Sequence, residues 1–269
     1  MIEQVRLGVS AKRTRVCIFD FDGTLSLIRS GWMDVMIPMM TEVLAETKTR
    51  ESEEQLRNVV EEFVWQLTGK QTIYQMIRLA EEVVRRGGTP RDPLEYKQMY
   101  LERLHSRIAS RLDELRHGEL PDKYLVPGAR KLLESLRDRG LKLYLASGTD
   151  EQYVREEAAL LDATQYFDGR VFGALKDYQS FSKKILIESM IATAECRGEE
   201  LLGFGDGYVE IENVKQVEGV AVGVATAEPE CLTVDEWKRQ RLTGVGADFI
   251  IPNYLETPLL MHKLFANGN

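Results

Sequence analysis

Apolar residues recur along this chain with two different periods. Val16 to Phe19 is an unbroken run of four, the pattern of a strand buried on both faces, and it stops at two aspartates flanking Phe21. From about Gly31 to His117 the spacing becomes helical. Met33, Val35, Met36, Met39, Met40 and Leu44 recur at three- and four-residue steps, followed by Leu56, Val59, Val60, Phe63, Val64 and Leu67, then Ile73, Met76, Ile77, Leu79 and Val83. These predict three amphipathic helices. A fourth starts near Pro93 and carries Tyr96, Met99, Tyr100, Leu104, Ile108 and Leu112, with Gly87, Gly88 and Pro90 punctuating its approach. Methionine at this spacing is read as core filler.

Beyond His117 helices and strands alternate. Helices are expected from Pro127-Gly128 to Leu136, over 151–161, 183–196 and 211–217, at Trp237 to Leu242, and over 257–265. Strands are expected over 141–146, 170–173, 201–205, 220–224 and 248–251. Such alternation calls for a mainly parallel sheet with helices on both faces. Residues 1–13 read as a charged, solvated lead-in with Lys12, Arg13 and Arg15 ahead of the first strand. The expected domains are an α/β core over 1–29 and 119–269 and a helical insert over 30–118.

Composition narrows the partners. Of 269 residues 43% are hydrophobic, which is ordinary for a globular chain, while a formal net charge of -8 and a pI near 5.2 argue against nucleic acid or an anionic membrane. No run reaches spanning length and the first ten residues lack a signal-peptide core, so a cytoplasmic protein acting on a small molecule is expected. Cys17, Cys196 and Cys231 are odd in number and widely spaced, which fits reduced thiols.

The chemistry is concentrated where strands end. In Val16–Ser26, V-C-I-F-D-F-D-G-T-L-S, a period of two puts Asp20 and Asp22 on one side of an extended chain, and Gly23-Thr24 lets the backbone turn away. Like charges that close call for a cation between them, and hard oxygen donors suit Mg2+. Ligands in open parallel sheets bind at the carboxyl ends of strands. After 141–146 comes Ser147-Gly148-Thr149, a hydroxyl and a glycine-exposed amide able to bond a phosphoryl oxygen. Lys183 and Lys184 open a helix, where ammonium and helix terminus act together on a phosphate. After 201–204 comes Gly205-Asp206-Gly207-Tyr208-Val209-Glu210, a third carboxylate with a fourth four residues on.

D-F-D-G-T-L, with Ser147, Lys183 and Asp206 following in order, resembles the four motifs of the haloacid dehalogenase-like phosphatase superfamily. The resemblance implies Asp20 as nucleophile, Asp22 as general acid and base, and a phosphoaspartate intermediate. It implies Mg2+ held by Asp20, Asp206 and the backbone carbonyl of Asp22, with Glu210 on the metal or on a metal-bound water. Lys183 is preferred over Lys184 because it opens the S-K-K turn, as in phosphoserine phosphatase-like members. The resemblance further implies a doubly wound, Rossmann-like sheet of order 5-4-1-2-3, with the helical insert as a cap. Gly148 is expected to bind substrate. So are Arg29 and Trp32 at the root of the cap, and Gly69, Lys70 and Gln71 in a turn like the cap specificity loop of phosphoglucomutase-like relatives. The expected activity is hydrolysis of a small phosphorylated metabolite such as a sugar phosphate. A phosphomutase uses the same motifs. A dehalogenase has no need of Asp22, a phosphorylatable receiver needs about half this length, and a non-catalytic phospho-ligand binder has no need of three intact acids.

Overall fold

The computed structural model describes residues 2–175, 177–193 and 196–266. In chain order its elements are β1 (Glu3–Gln4), β2 (Val16–Phe19), α1 (Met33–Ala45), α2 (Glu53–Leu67), α3 (Thr72–Arg85), α4 (Pro93–Arg116), α5 (Ala129–Asp138), β3 (Lys142–Asp150), α6 (Glu151–Leu160), β4 (Val171–Ala174), α7 (Lys183–Ala192), β5 (Leu201–Gly205), α8 (Tyr208–Gln216), β6 (Val220–Val224), α9 (Glu236–Gly244), β7 (Phe249–Ile251) and α10 (Thr257–Phe265). They fall into two units, one of Met1–Ser30 with Leu112–Asn269 and one of Gly31–Arg111. None of the described helices is long and apolar enough to cross a membrane.

The first unit is built on a seven-stranded sheet of order β1-β7-β6-β5-β2-β3-β4. Every pair is parallel except β1 with β7. Numbered from β2 and without the two strands at the β1 edge, the order is the expected 5-4-1-2-3. Central strand β2 is buried along its whole length. Val16 and Ile18 face a core of Tyr144, Ile187, Met190, Leu201, Ile211 and Val214. Period-two alternation sends Cys17 and Phe19 to the other face, where Phe19 stacks on Phe204 at 4.5 Å and meets Phe167 edge-on. Both faces are thus covered by apolar groups, which is why β2 reads as a continuous run and not an alternation.

Three elements differ from the sequence reading. Residues 3 and 4 are not a free lead-in, since β1 pairs with β7 and Glu3 is held by Arg239 at 2.6 Å. A two-residue edge strand fixed by backbone bonds and an ion pair has no periodicity to read. Strand β3 runs on through Ser147-Gly148-Thr149 to Asp150, with a register shift against β4 after Ala146. Helix α7 ends at Ala192, where the expected span ran to 196; residues 194 and 195 of that span lie outside the described residues.

The second unit is helical. Met36, Met39, Met40 and Leu44 of α1, Leu56, Val60, Phe63 and Val64 of α2, and Ile73, Met76, Leu79 and Val83 of α3 are all buried. Helix α2 starts at Glu53 because Ser52 and Gln55 form a reciprocal capping box. Arg86 at the end of α3 is tied to Glu51 and Glu82, each at 2.6 Å. Met36, Met39, Met40 and Met76 are buried filler, while Met33 and Met99 are half-buried.

Candidate active site

Strand register determines which residues meet. Phe19 of β2 lies beside Leu145 of β3 and Phe204 of β5, and the Asp20 amide donates to the Phe204 carbonyl at 2.9 Å. Ser147 and Asp206 therefore leave the sheet within a residue or two of Asp20. Asp20 continues the face of Val16 and Ile18, where Ile187 and Val214 pack. Lys183 stands four residues before Ile187 and Glu210 four before Val214, so each lies one helical turn up on the same stripe. The helix faces that complete the core carry these two groups to Asp20.

Six carboxylates share three basic side chains here, each base joining an aspartate at a strand end to a glutamate. Lys183 donates to Asp20 Oδ1 at 2.6 Å and to Glu210 Oε1, all three side chains being buried. Arg29 grips Glu157 through Nη2 at 2.6 Å and Nε at 3.1 Å, with Asp22 Oδ1 at 3.9 Å. Lys238 donates to Asp206 Oδ2 at 3.0 Å and to Glu228 Oε1 at 3.4 Å. Asp22 is also held by the Thr149 hydroxyl, which donates to Oδ2 at 2.8 Å, and by Ser147 Oγ at 3.4 Å. Ser147 Oγ accepts from the Thr149 amide at 3.0 Å.

With these side chains largely buried and more acid than base among them, ionisation is opposed. Burial raises the pKa of Asp20, against the attraction of Lys183, and that of Asp206, against Lys238. Burial likewise pushes Asp22 up to about 6, while Arg29 opposes the shift and Glu157 adds to it.

These residues fit a hard divalent cation. Asp22 Oδ1 and Glu210 Oε2 are buried and accept no hydrogen bond among the described residues. A Cβ on Gly23 would stand 2.3 Å from Asp206 Oδ2, so only a glycine lets the turn after β2 approach that carboxylate. Among the described residues no three His, Cys, Asp or Glu side chains form a ready cage.

The structure brings Asp20, Asp22, Ser147, Lys183, Asp206, Glu210 and Arg29 together in the α/β unit, with Gly148 beside them on β3. Lys184 is exposed, 3.9 Å from Glu188. Trp32, Gly69, Lys70 and Gln71 belong to the helical unit. Trp32 caps α1 and is half-buried, Gly69 turns the chain at φ +91°, Lys70 is exposed, and Gln71 is buried at the start of α3. The sequence reading missed Thr149, Glu157, Glu228 and Lys238. Thr149 was discoverable, since it lies two residues past Ser147 on a strand. Glu157 and Lys238 sit on helices far along the chain, with no motif to mark them.

A haloacid dehalogenase-like hydrolase family model matches residues 14–217. No curated protein matches the chain. Among solved structures, a predicted phosphoglycolate phosphatase from Haemophilus somnus superposes with a TM-score of 0.60 at 14% identity, covering 93% of this chain and 98% of that one. A predicted phosphatase from Clostridium acetobutylicum gives 0.60 at 15%, covering 93% and 99%. A beta-phosphoglucomutase from Clostridium difficile gives 0.54 at 17%, covering 86% and 98%. At these identities the likeness is one of fold.

Proposed function

This chain belongs to the haloacid dehalogenase-like hydrolase family, and from that premise we propose that it is a Mg2+-dependent phosphatase of a small phosphorylated metabolite, working through an aspartyl phosphate on Asp20. The observation that carries the reading is the pairing at the end of β2. One buried carboxylate, Asp20, is held by an ammonium, and a second, Asp22, is pushed up to about 6 by burial and fixed by a hydroxyl.

A carboxylate attacks a phosphate monoester only when the repulsion between the two anions is offset. Lys183, the Ser147 hydroxyl and the Gly148 amide are the groups of this chain that bind the non-bridging oxygens. An Asp20 oxygen forms the new bond to phosphorus as the bond to the leaving oxygen breaks. Asp22, whose protonated fraction grows as pH falls toward 6, gives that oxygen its proton in that form. Now a base, Asp22 takes a proton from water as the water oxygen bonds to phosphorus. Inorganic phosphate leaves and the Asp20 carboxylate is restored. Asp20, Asp206 and the Asp22 carbonyl would hold Mg2+, which when bound neutralises charge on the transferring phosphoryl group. Glu210 holds Lys183 in place, and Glu157 does the same for Arg29.

The likeness to phosphatases and to a phosphoglucomutase supports a phosphorylated metabolite as substrate. Turnover of p-nitrophenyl phosphate with and without Mg2+, by wild type and Asp20→Asn, tests the proposal. The expected result is Mg2+-dependent release of inorganic phosphate that Asp20→Asn abolishes. Variant turnover within tenfold of wild type would overturn it. In a panel of phosphorylated metabolites, transfer to another position of the same molecule in place of phosphate release would identify a mutase.

A further inference from the structure

Lys238 lies outside every strand-end motif, yet its ammonium reaches Asp206 Oδ2 at 3.0 Å and Glu228 Oε1 at 3.4 Å. It is a built contact. After β6 the chain doubles back, with Thr226 bridged to Val234 and the Ala227 amide donating to the Thr233 carbonyl at 3.1 Å. The Asp235 amide donates to the Ala225 carbonyl at 2.8 Å, and the Asp235 side chain accepts from the Trp237 and Lys238 amides at 2.9 Å. That cap places Lys238 in the first turn of α9 and returns it to the strand ends. The Lys238 side chain is only 13% exposed, against 16% for Asp206 and 23% for Glu228. The oxygen it meets is the one that lies against Gly23. Asp206 Oδ2 is therefore confined between the catalytic turn and an ammonium.

We propose that Lys238 is an internal cation that occupies Asp206 and competes with the divalent ion, so that it sets how tightly this site takes up Mg2+. The inference rests on the reading of Asp206 as a metal ligand. A buried carboxylate without a counter-charge is costly, so the ammonium protects the metal-free site. The same charge repels an incoming cation and must share or release Oδ2 when Mg2+ enters. A purely structural ion pair would stabilise metal-free and Mg2+-loaded protein alike. A competing ammonium stabilises the metal-free form more.

Mg2+ titration calorimetry and thermal unfolding with and without Mg2+ separate the two for wild type, Lys238→Met, Lys238→Arg and Asp206→Asn. Lys238→Met should bind Mg2+ about tenfold more tightly and show a larger Mg2+-induced rise in Tm, while Lys238→Arg stays within threefold of wild type. Asp206→Asn should lose the Mg2+ response. Unchanged or weaker Mg2+ binding in Lys238→Met, with the response lost in Asp206→Asn, would overturn the competition and leave the metal reading standing. A wild-type Mg2+ response that survives Asp206→Asn would overturn the metal reading and this inference with it. Should Lys238→Met fail to fold, Glu228→Gln serves in its place. It leaves the ammonium to Asp206 alone and should weaken Mg2+ binding severalfold, and unchanged or tighter binding would overturn the proposal.

Discussion

At Asp22, burial pushes the carboxyl up to about 6, against the opposing Arg29 charge, where an unfolded aspartate titrates near 4. Below pH 4 both states are protonated and nothing is lost. Between 4 and 6 the folded protein holds a proton that the unfolded chain has released, so stability falls as pH rises through that window. The full cost stands at pH 7, on the order of 1–3 kcal/mol. Asp22→Asn removes the ionisation while keeping an acceptor for Thr149. The metal-free variant should resist urea better than wild type at pH 7, with the difference fading toward pH 4. Its turnover should fall about a hundredfold or more, with phosphoenzyme accumulating for want of a base. Equal or lower stability at pH 7 would show that Asp22 is not strained by its surroundings. Lys183→Ala should lose on both counts, because it leaves Asp20 and Glu210 buried without a counter-ion, a change worth about 3–5 kcal/mol. Lys184→Ala, at an exposed side chain, should stay within about 0.5 kcal/mol and keep its activity. Urea titrations and p-nitrophenyl phosphate assays of both variants read this contrast. A more damaging Lys184→Ala would mean the wrong lysine has been assigned.

Among the elements, the turn after β2 is held from several sides. Gly23 has φ +75°, its amide donates to the Ser26 carbonyl at 2.9 Å, and the amides of Leu25 and Ser26 close on Phe21. Tyr254, in the loop after β7, donates to the Thr24 carbonyl at 2.9 Å and anchors the turn. Alanine at Gly23 meets two obstacles, a left-handed backbone and Asp206 Oδ2 at 2.3 Å. Gly23→Ala should cost about 1–3 kcal/mol and raise the Mg2+ concentration needed for half-maximal turnover. Loss of stability with an unchanged Mg2+ requirement would separate the turn from the metal site. This turn was legible in the sequence because its chemistry is local, six consecutive residues after an apolar run. Lys183 and Glu210 were picked out by position, one at a helix opening and one four residues past Asp206, while the stripes of Ile187 and Val214 that carry them to Asp20 are seen only in the fold. Strands β5 and β6 took the spans their apolar runs predicted. Lys238 and Glu157 were not legible. Each is one charged residue on a helix with other charges nearby, and only the folded sheet shows which of those charges meets a strand end. Strand β1 was hidden likewise, because backbone pairing at an edge leaves no side-chain pattern.

For the whole molecule, the division into Met1–Ser30 with Leu112–Asn269 and Gly31–Arg111 bears on cooperativity. Each unit has an apolar interior of its own, strands and their covering helices in one and the α1, α2 and α3 stripes in the other. Two such units unfold together only if their interface is worth a large share of their separate stabilities. Met40 tests this, since it is fully buried in α1 of the helical unit. Met40→Ala removes a long side chain from that interior, at a cost of about 2–5 kcal/mol to the unit that holds it. Differential scanning calorimetry should then resolve two transitions. The lower one should belong to the helical unit and carry the smaller enthalpy, as expected for 81 residues of 269. The upper one should stay where the wild-type α/β unit melts, and Mg2+ should raise it alone, since the carboxylates that fit the ion all lie in that unit. A single transition shifted downward as a whole would mean that the helical insert and the sheet form one cooperative structure, in which damage to the insert reaches the carboxylates at the strand ends.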